Sequence, residues 1–400
     1  MLAEGGVRAL VRVSVWKHSK SGIGSSFRPT KILIVETTRI GDVLLTTAAI
    51  RALRRLYPAA ELTYVADAFS GQVLRVNPYV DRVVALRHSS SLGGLVRAIW
   101  QVRSEAYDLV LNCSPSTRNA LLAWFARSSV KIGYFERFRS YEAVRNPIPV
   151  TGIGMRVSPG FCYAGQHLVD RSLEVVRALE RATRADLESP RSCLDPQDEL
   201  PALDLRIPEE VRARAFRQYF PEREDRSLVV VHATASWTYR TWSPERFREL
   251  LVRLSHIKPE LRLIVVGSEG ERSLLAKLAA DSNCGVIVVA GKDLFEVAAL
   301  IELADVCVGA DSGPMHIASA VGTPCVALFG PNTSRATRPV GKRHRVLYKQ
   351  LECSPCLQTV CVRPDNPCTH LISVEEVTAA VLAILAEEKE PRAGRTGAKS

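Results

Sequence analysis

The chain has 400 residues, of which 46% are apolar and 24% charged, with 53 Lys+Arg against 42 Asp+Glu and a formal net charge of +11 at pH 7. This is the composition of a soluble globular protein with two domains, and no uninterrupted apolar run approaches the roughly 20 residues that span a bilayer. The positive excess belongs to one half: residues 1–185 hold 26 Lys+Arg against 13 Asp+Glu, whereas residues 186–400 hold 27 against 29. A basic half suits nucleic acid, anionic lipid or a phosphorylated substrate, and equally a solvated face.

Residues 1–28 carry Arg8, Arg12, Lys17, Lys20 and Arg28 around a short apolar patch. With no signal-peptide core or cleavage site, they read as a disordered basic extension with weak attraction for a membrane. Residues 31–35 (Lys-Ile-Leu-Ile-Val) have the pattern of a buried strand, and residues 43–56 carry helical periodicity until Tyr57-Pro58 stops it. Further strands are expected at 61–65, 82–86 and 107–111, with helix-like stretches between some of them. Residues 186–208 turn polar and Pro-rich (Pro190, Pro196, Pro201, Pro208), which predicts a linker. The pattern then restarts, with strands at 227–232, 262–266 (ending at Gly267), 285–289, 306–308 and 325–328 and a helix at 244–254. The tail from residue 387 reads as disordered. Strands alternating with helices predict an α/β fold of two doubly wound, Rossmann-like domains, at 29–185 and 209–386. Such sheets bind ligands at strand C-terminal ends, and here those ends are expected to face each other across a cleft.

Three motifs fall at strand ends. Thr37-Thr38-Arg39-Ile40-Gly41-Asp42 follows the first strand and opens the first helix. A carboxylate there is favoured by the helix dipole and is able to take a proton from a hydroxyl, although a plain helix cap is the simpler role. His232-Ala233-Thr234-Ala235-Ser236-Trp237-Thr238-Tyr239-Arg240-Thr241-Trp242 follows the first strand of the second half. It offers hydroxyls and a guanidinium suited to a diphosphate, with Trp237 and Trp242 read as packing residues. Gly309-Ala310-Asp311-Ser312-Gly313-Pro314-Met315-His316, followed by an apolar run and Phe329-Gly330-Pro331, joins a buried strand to a helix. Unpaired N–H groups and the dipole at such a corner attract an anion, while Asp311 or Ser312 would also cap an ordinary βα turn.

Together, the Gly-Asp of the first turn, the His-Ala-Thr…Arg-x-Trp segment and Asp-Ser-Gly-x-Met-His with its later Phe-Gly-Pro resemble the ADP-heptose:lipopolysaccharide heptosyltransferases, glycosyltransferase family 9. The resemblance runs from about Lys31 to about Leu382. It implies the GT-B fold and an inverting transfer of heptose, or a related sugar, from an ADP-activated donor to a lipopolysaccharide inner-core acceptor. A different nucleotide sugar or acceptor, or a non-catalytic nucleotide-sugar-binding protein, is the alternative. By resemblance, Asp42 is the general base. Thr234, Arg240, Glu271, Lys292, Asp311, Ser312, Gly313 and His316 contact the donor, with Arg240 standing where lysine is usual. Glu36 stands where the family commonly has lysine or a small residue, so acceptor recognition is expected to differ. Thr38, Arg39, Arg118, Arg137 and Arg139, with Lys131, are candidates for a phosphorylated glycolipid acceptor. The implied setting is the cytoplasm, with peripheral contact at the inner leaflet of the inner membrane. No nucleic-acid module is recognised.

The chain has ten cysteines, four of them clustered as Cys353-x2-Cys356-x4-Cys361-x6-Cys368 in a Pro-rich loop, residues 353–368. Four thiols in that spacing are open to a structural zinc or iron–sulfur site, two disulfides, or reduced thiols. No cofactor is expected for the transfer itself. Cys307 and Cys325 read as small core residues, and His88, His167 and His256 as isolated histidines without a catalytic role.

Overall fold

A computed structural model of the protein describes residues 14–17, 23, 26–87, 91–114, 116–133, 167–183, 200–219, 226–235, 238–354, 356, 361–363 and 367–387. It divides into two units, Met1–Pro201 and Ala202–Ser400.

Among the described residues the first unit holds a sheet of β1 (Ser14–Lys17), β2 (Lys31–Val35), β3 (Glu61–Asp67), β4 (Arg82–Leu86), β5 (Leu109–Asn112) and β6 (Val130–Gly133). The order is β1-β6-β5-β2-β3-β4, parallel except where β1 meets β6. Its helices are α1 (Ile40–Leu56), α2 (Leu92–Arg103), α3 (Thr117–Phe125) and α4 (Leu168–Thr183). Runs such as Ile32-Leu33-Ile34-Val35 are apolar on both faces because both faces of a parallel sheet are covered. Leu33, Val35, Val65 and Val110 pack with Ala98 and Val102 of α2 and Leu122 of α3, and α1 packs on α4.

The second unit repeats the plan with β7 (Leu228–His232), β8 (Arg262–Gly267), β9 (Ile287–Ala290), β10 (Val306–Ala310), β11 (Cys325–Phe329) and β12 (Arg345–Tyr348). The order is β12-β11-β10-β7-β8-β9, parallel throughout. Its helices are α5 (Glu209–Tyr219), α6 (Pro244–Ile257), α7 (Arg272–Ser282), α8 (Leu294–Leu303), α9 (Gly313–Ala320), α10 (Ser334–Thr337) and α11 (Val374–Ala386). Trp242 is wholly buried, edge-on to Phe247 at 5.0 Å, and its Nε1–H donates to the Ile372 carbonyl at 3.1 Å. It is therefore a packing residue that ties α6 to the start of α11. Trp237 lies outside the described residues.

Four sequence expectations change. Ser14–Lys17 are not disordered: they close the β6 edge as an antiparallel strand. The reason is local, since Val15 and Trp16 favour extended backbone and the β6 edge would otherwise be unpaired. The strands β6 and β12 were not anticipated. The last part of the expected linker is packed, with Leu203 and Ile207 buried. Lys131 does not belong to a solvated basic face. It is buried in β6, donates to the Trp124 carbonyl and lies 5.5 Å from that ring, and burial, with Arg103 nearby, pushes its ammonium down to about 8. Among the described residues no helix is long and apolar enough to cross a membrane.

Candidate active site

Doubly wound sheets leave a crevice at the C-terminal ends of the two strands that flank the reversal of strand order. In the first unit these strands are β2 and β5. A pocket of about 240 Å³ opens there, lined by Glu36 and Thr38 after β2, Asp42 and Thr46 on α1, Ser114 after β5 and Arg171 on α4. Helix α1 starts without a side-chain cap, its N-cap Arg39 being extended at φ −79°, and Asp42 stands in the first turn. The unpaired N–H groups and dipole of that turn favour the carboxylate.

Beside it, Glu36 is 3% exposed. Its Oε1 accepts from Thr38 N–H at 3.0 Å, Thr38 Oγ1 at 2.6 Å and Asn119 Nδ2 at 3.1 Å. Burial, then the charge of Asp42, pushes the Glu36 carboxyl up to about 7 despite those bonds. Burial likewise pushes up the Cys113 thiol, with Glu36 adding to it.

In the second unit the strands at the reversal are β7 and β10, whose residues His232 and Gly309 are paired in register. A Cβ at Gly309 would stand 3.0 Å from the His232 carbonyl and 3.0 Å from Met315 Cε, so glycine is what lets the strand end and α9 close on His232. His232 Nδ1 lies 3.3 Å from Ser312 Oγ, and its Nε2 lies 3.4 Å from Thr234 Oγ1. Burial pushes the ring down to about 4, so it is neutral at physiological pH. Glu271 accepts from Ser268 N–H at 2.6 Å and Ser268 Oγ at 2.7 Å. Burial works to raise its pKa, but these bonds, one from Thr234 and the nearby His232 hold it below the usual carboxylate range.

The expected anion corner is built around an ion pair. Asp311, 6% exposed, has its Oδ2 3.0 Å from Arg240 Nη1 and accepts from Asn332 Nδ2 at 3.0 Å. Thr337 Oγ1 donates to its other oxygen at 3.4 Å. The carboxylate is thus spent on orienting a guanidinium. The anion-seeking groups at this corner are Arg240, held by Asp311, and the N-terminal turn of α9, which has no side-chain cap. Ser312 is the N-cap residue but does not cap the helix, because its hydroxyl donates to the Ala310 carbonyl at 2.9 Å. His316 is buried in α9, and Lys292 lies just beyond β9, 3.7 Å from Glu296.

Of the residues expected at the acceptor, Thr38 lines the first pocket, whereas exposed Arg39 and half-buried Arg118 do not. Arg137 and Arg139 lie outside the described residues. Arg171, Asn119, His232, Asn332 and Thr337 were not anticipated. Only His232 carried a signal, its place at a strand end two residues before Thr234. The four loop cysteines line one cavity of about 90 Å³. Even so, no group of three or more His, Cys, Asp or Glu among the described residues is arranged to hold a metal ion. Burial first, then the neighbouring thiols, pushes the Cys368 thiol up to about 11.

Comparison with known proteins agrees with this architecture. The sequence profile described as glycosyltransferase family 9 (heptosyltransferase) matches residues 95–365. Lipopolysaccharide heptosyltransferase 1 of Pseudomonas aeruginosa is 25% identical over 343 residues, covering 83% of this chain and 87% of that protein. The crystal structure of a family 9 glycosyl transferase from Veillonella parvula superposes with a TM-score of 0.68 at 20% identity, covering 90% of this chain and 98% of its own. The ADP-heptose LPS heptosyltransferase II of Escherichia coli superposes with a TM-score of 0.64 at 20% identity, covering 89% and 98%. The two parallel sheets are those of the GT-B fold, and the chain belongs to glycosyltransferase family 9 and is a glycosyltransferase.

Proposed function

We propose that the protein moves a heptose, or a closely related sugar, from an ADP-activated donor to a hydroxyl of a lipopolysaccharide inner-core acceptor, with inversion at the anomeric carbon. The observation that carries this reading is the Arg240–Asp311 pair beside the start of α9. A guanidinium held at a helix N-terminus is suited to the diphosphate of an activated sugar, and it grows more effective as the leaving group gains charge.

In the reaction, the acceptor oxygen forms a bond to the anomeric carbon while the bond from that carbon to the donor phosphate breaks. The hydroxyl proton passes to Asp42, and the electron pair of the broken bond leaves on ADP, where Arg240 and the Gly313 amide stabilise it. A single displacement inverts the centre and uses one base. Thr234, Glu271, Ser312, His316 and Lys292 complete the donor side, with Asp311 acting through Arg240. No step draws on a metal or cofactor.

The acceptor is amphiphilic, which bears on location. Helix α2 exposes Leu92 (78%), Val96 (45%) and Trp100 (72%) at four-residue spacing, so they form one stripe, with exposed Arg97 and Arg103 beside it. An apolar stripe with tryptophan and arginine suits an anionic lipid surface, so we place the enzyme peripherally on the inner leaflet of the inner membrane, on its cytoplasmic face. Trp100→Ser should cut cosedimentation with anionic vesicles severalfold, and equal cosedimentation would remove this placement. The transfer itself is tested with a panel of ADP-, UDP- and GDP-sugars and delipidated core oligosaccharide. Only the ADP-linked heptose class should turn over efficiently, giving product of inverted anomeric configuration. Retained configuration, or preference for another nucleotide, would overturn the reading.

A further inference from the structure

The displacement described above needs one carboxylate in the first pocket, and the pocket holds two. Glu36 is nine-tenths or more buried at the end of β2, its own N–H donating to the Val65 carbonyl at 3.1 Å. Its head is held rather than mobile. Thr37 N–H and Oγ1 donate to Asn119 Oδ1 at 3.3 and 2.5 Å, which turns the Asn119 Nδ2 toward Glu36. The bonds from Thr38 and Asn119 all end on Oε1. Oε1 is therefore saturated with donors and Oε2 is the oxygen able to carry a proton, in the pocket that Asp42 shares.

The surroundings set the charge balance. From α1 come Asp42 and Thr46, from α4 Arg171 and Ser172, and after β5 Cys113 and Ser114. From β3 comes Tyr64, whose phenol burial and then the charge of Glu36 hold well above its ordinary range. Tyr64 and Cys113 stay neutral at working pH, so among the described residues that line the pocket the charged groups are Glu36, Asp42 and Arg171. With Glu36 protonated, the lining carries one negative and one positive side chain, Asp42 and Arg171. With Glu36 ionised, a second negative charge enters a small pocket, a state disfavoured by repulsion and by burial.

We infer that Glu36 is a second functional carboxyl of the acceptor pocket: a positioning residue that works in its protonated form, leaving Asp42 as the single negative charge and admitting an anionic acceptor. The inference rests on the reading of Asp42 as the base. Ionisation of Glu36 then repels the acceptor without touching the donor, so on this inference transfer weakens in alkali through acceptor binding.

The test measures transfer from ADP-heptose to phosphorylated core oligosaccharide between pH 6 and 8.5 for the wild type, Glu36→Gln and Glu36→Ala. Ionisation around the value of about 7 predicts that the wild-type acceptor KM rises at least tenfold across this range, with kcat and donor KM changing little. Glutamine presents the shape of the protonated acid at every pH, so its acceptor KM should stay flat, and alanine should also remove the pH dependence. Infrared difference spectra of wild type against Glu36→Gln should show a protonated carboxyl at pH 6 that is lost by pH 8.5. A Glu36→Gln profile that overlays the wild type, or the absence of that carboxyl band, would overturn the inference. Failure of the base assignment is read separately, as retained turnover in Asp42→Asn, while the infrared band reports on Glu36 alone.

Discussion

At the level of single residues, chemistry was legible where a side chain acts from a strand end and illegible where it acts through a neighbour. Asp42 and Arg240 came forward through the family resemblance, since locally a first-turn carboxylate also reads as a plain helix cap; Asp42 lines the first pocket and Arg240 pairs with Asp311. Asp311 was read as part of the anion corner, but its carboxylate faces Arg240, Asn332 and Thr337. No local pattern announces a partner 71 residues away in the chain. This pairing makes a prediction: Asp311→Asn removes the charged partner that aims Arg240, so ADP affinity should fall about tenfold, as for loss of a charge-assisted contact. Equal ADP affinity by calorimetry would contradict it. Glu36 gives a second prediction. Folding raises its carboxyl from 4.5 to about 7, so its protonated form stabilises the fold. That contribution is full below pH 4.5 and lost as pH rises through 7. The stability of Glu36→Gln relative to wild type should therefore improve by roughly 2 kcal/mol between pH 5 and pH 8, measured by urea unfolding.

At the level of elements, apolar runs announced themselves as strands, at the centre and at the β4 edge alike, whereas β1, β6 and β12 did not. β2, β7, β8 and β11 are runs of apolar residues buried on both faces, and their limits were read to within a residue or so. β12 is half-buried along its length, β6 contains a lysine, and β1 stands in a basic segment. Each lacks the unbroken apolar run that marks a covered strand. Asp42 and Asp311 owe their places to the two strand-order reversals, which follow from pairings distant in sequence. The close approach at Gly309 is the element-scale feature most open to test. Gly309→Ala puts a methyl group 3.0 Å from the His232 carbonyl and from Met315 Cε. It should destabilise the second unit by about 1–3 kcal/mol and weaken ADP binding, whereas unaltered melting and affinity would show that the strand end has slack.

At the level of the whole molecule, two units of the same plan take opposite tasks in the proposed reaction, and the charge is unevenly divided between the two halves. The +11 net charge is concentrated in the first half, where the pocket and the α2 stripe would meet an anionic glycolipid, while the near-neutral second half holds its cation on a buried carboxylate. The division of labour, with a base in the first unit and a diphosphate anchor in the second, is the central claim. It is tested most directly by Asp42→Asn, assayed for ADP affinity and for heptosyl transfer on the same preparation. ADP affinity should be unchanged and turnover should fall by about 10²–10⁴-fold, the usual contribution of a general base. Retention of more than about a third of wild-type turnover, on the same scale of general-base effects, would contradict it.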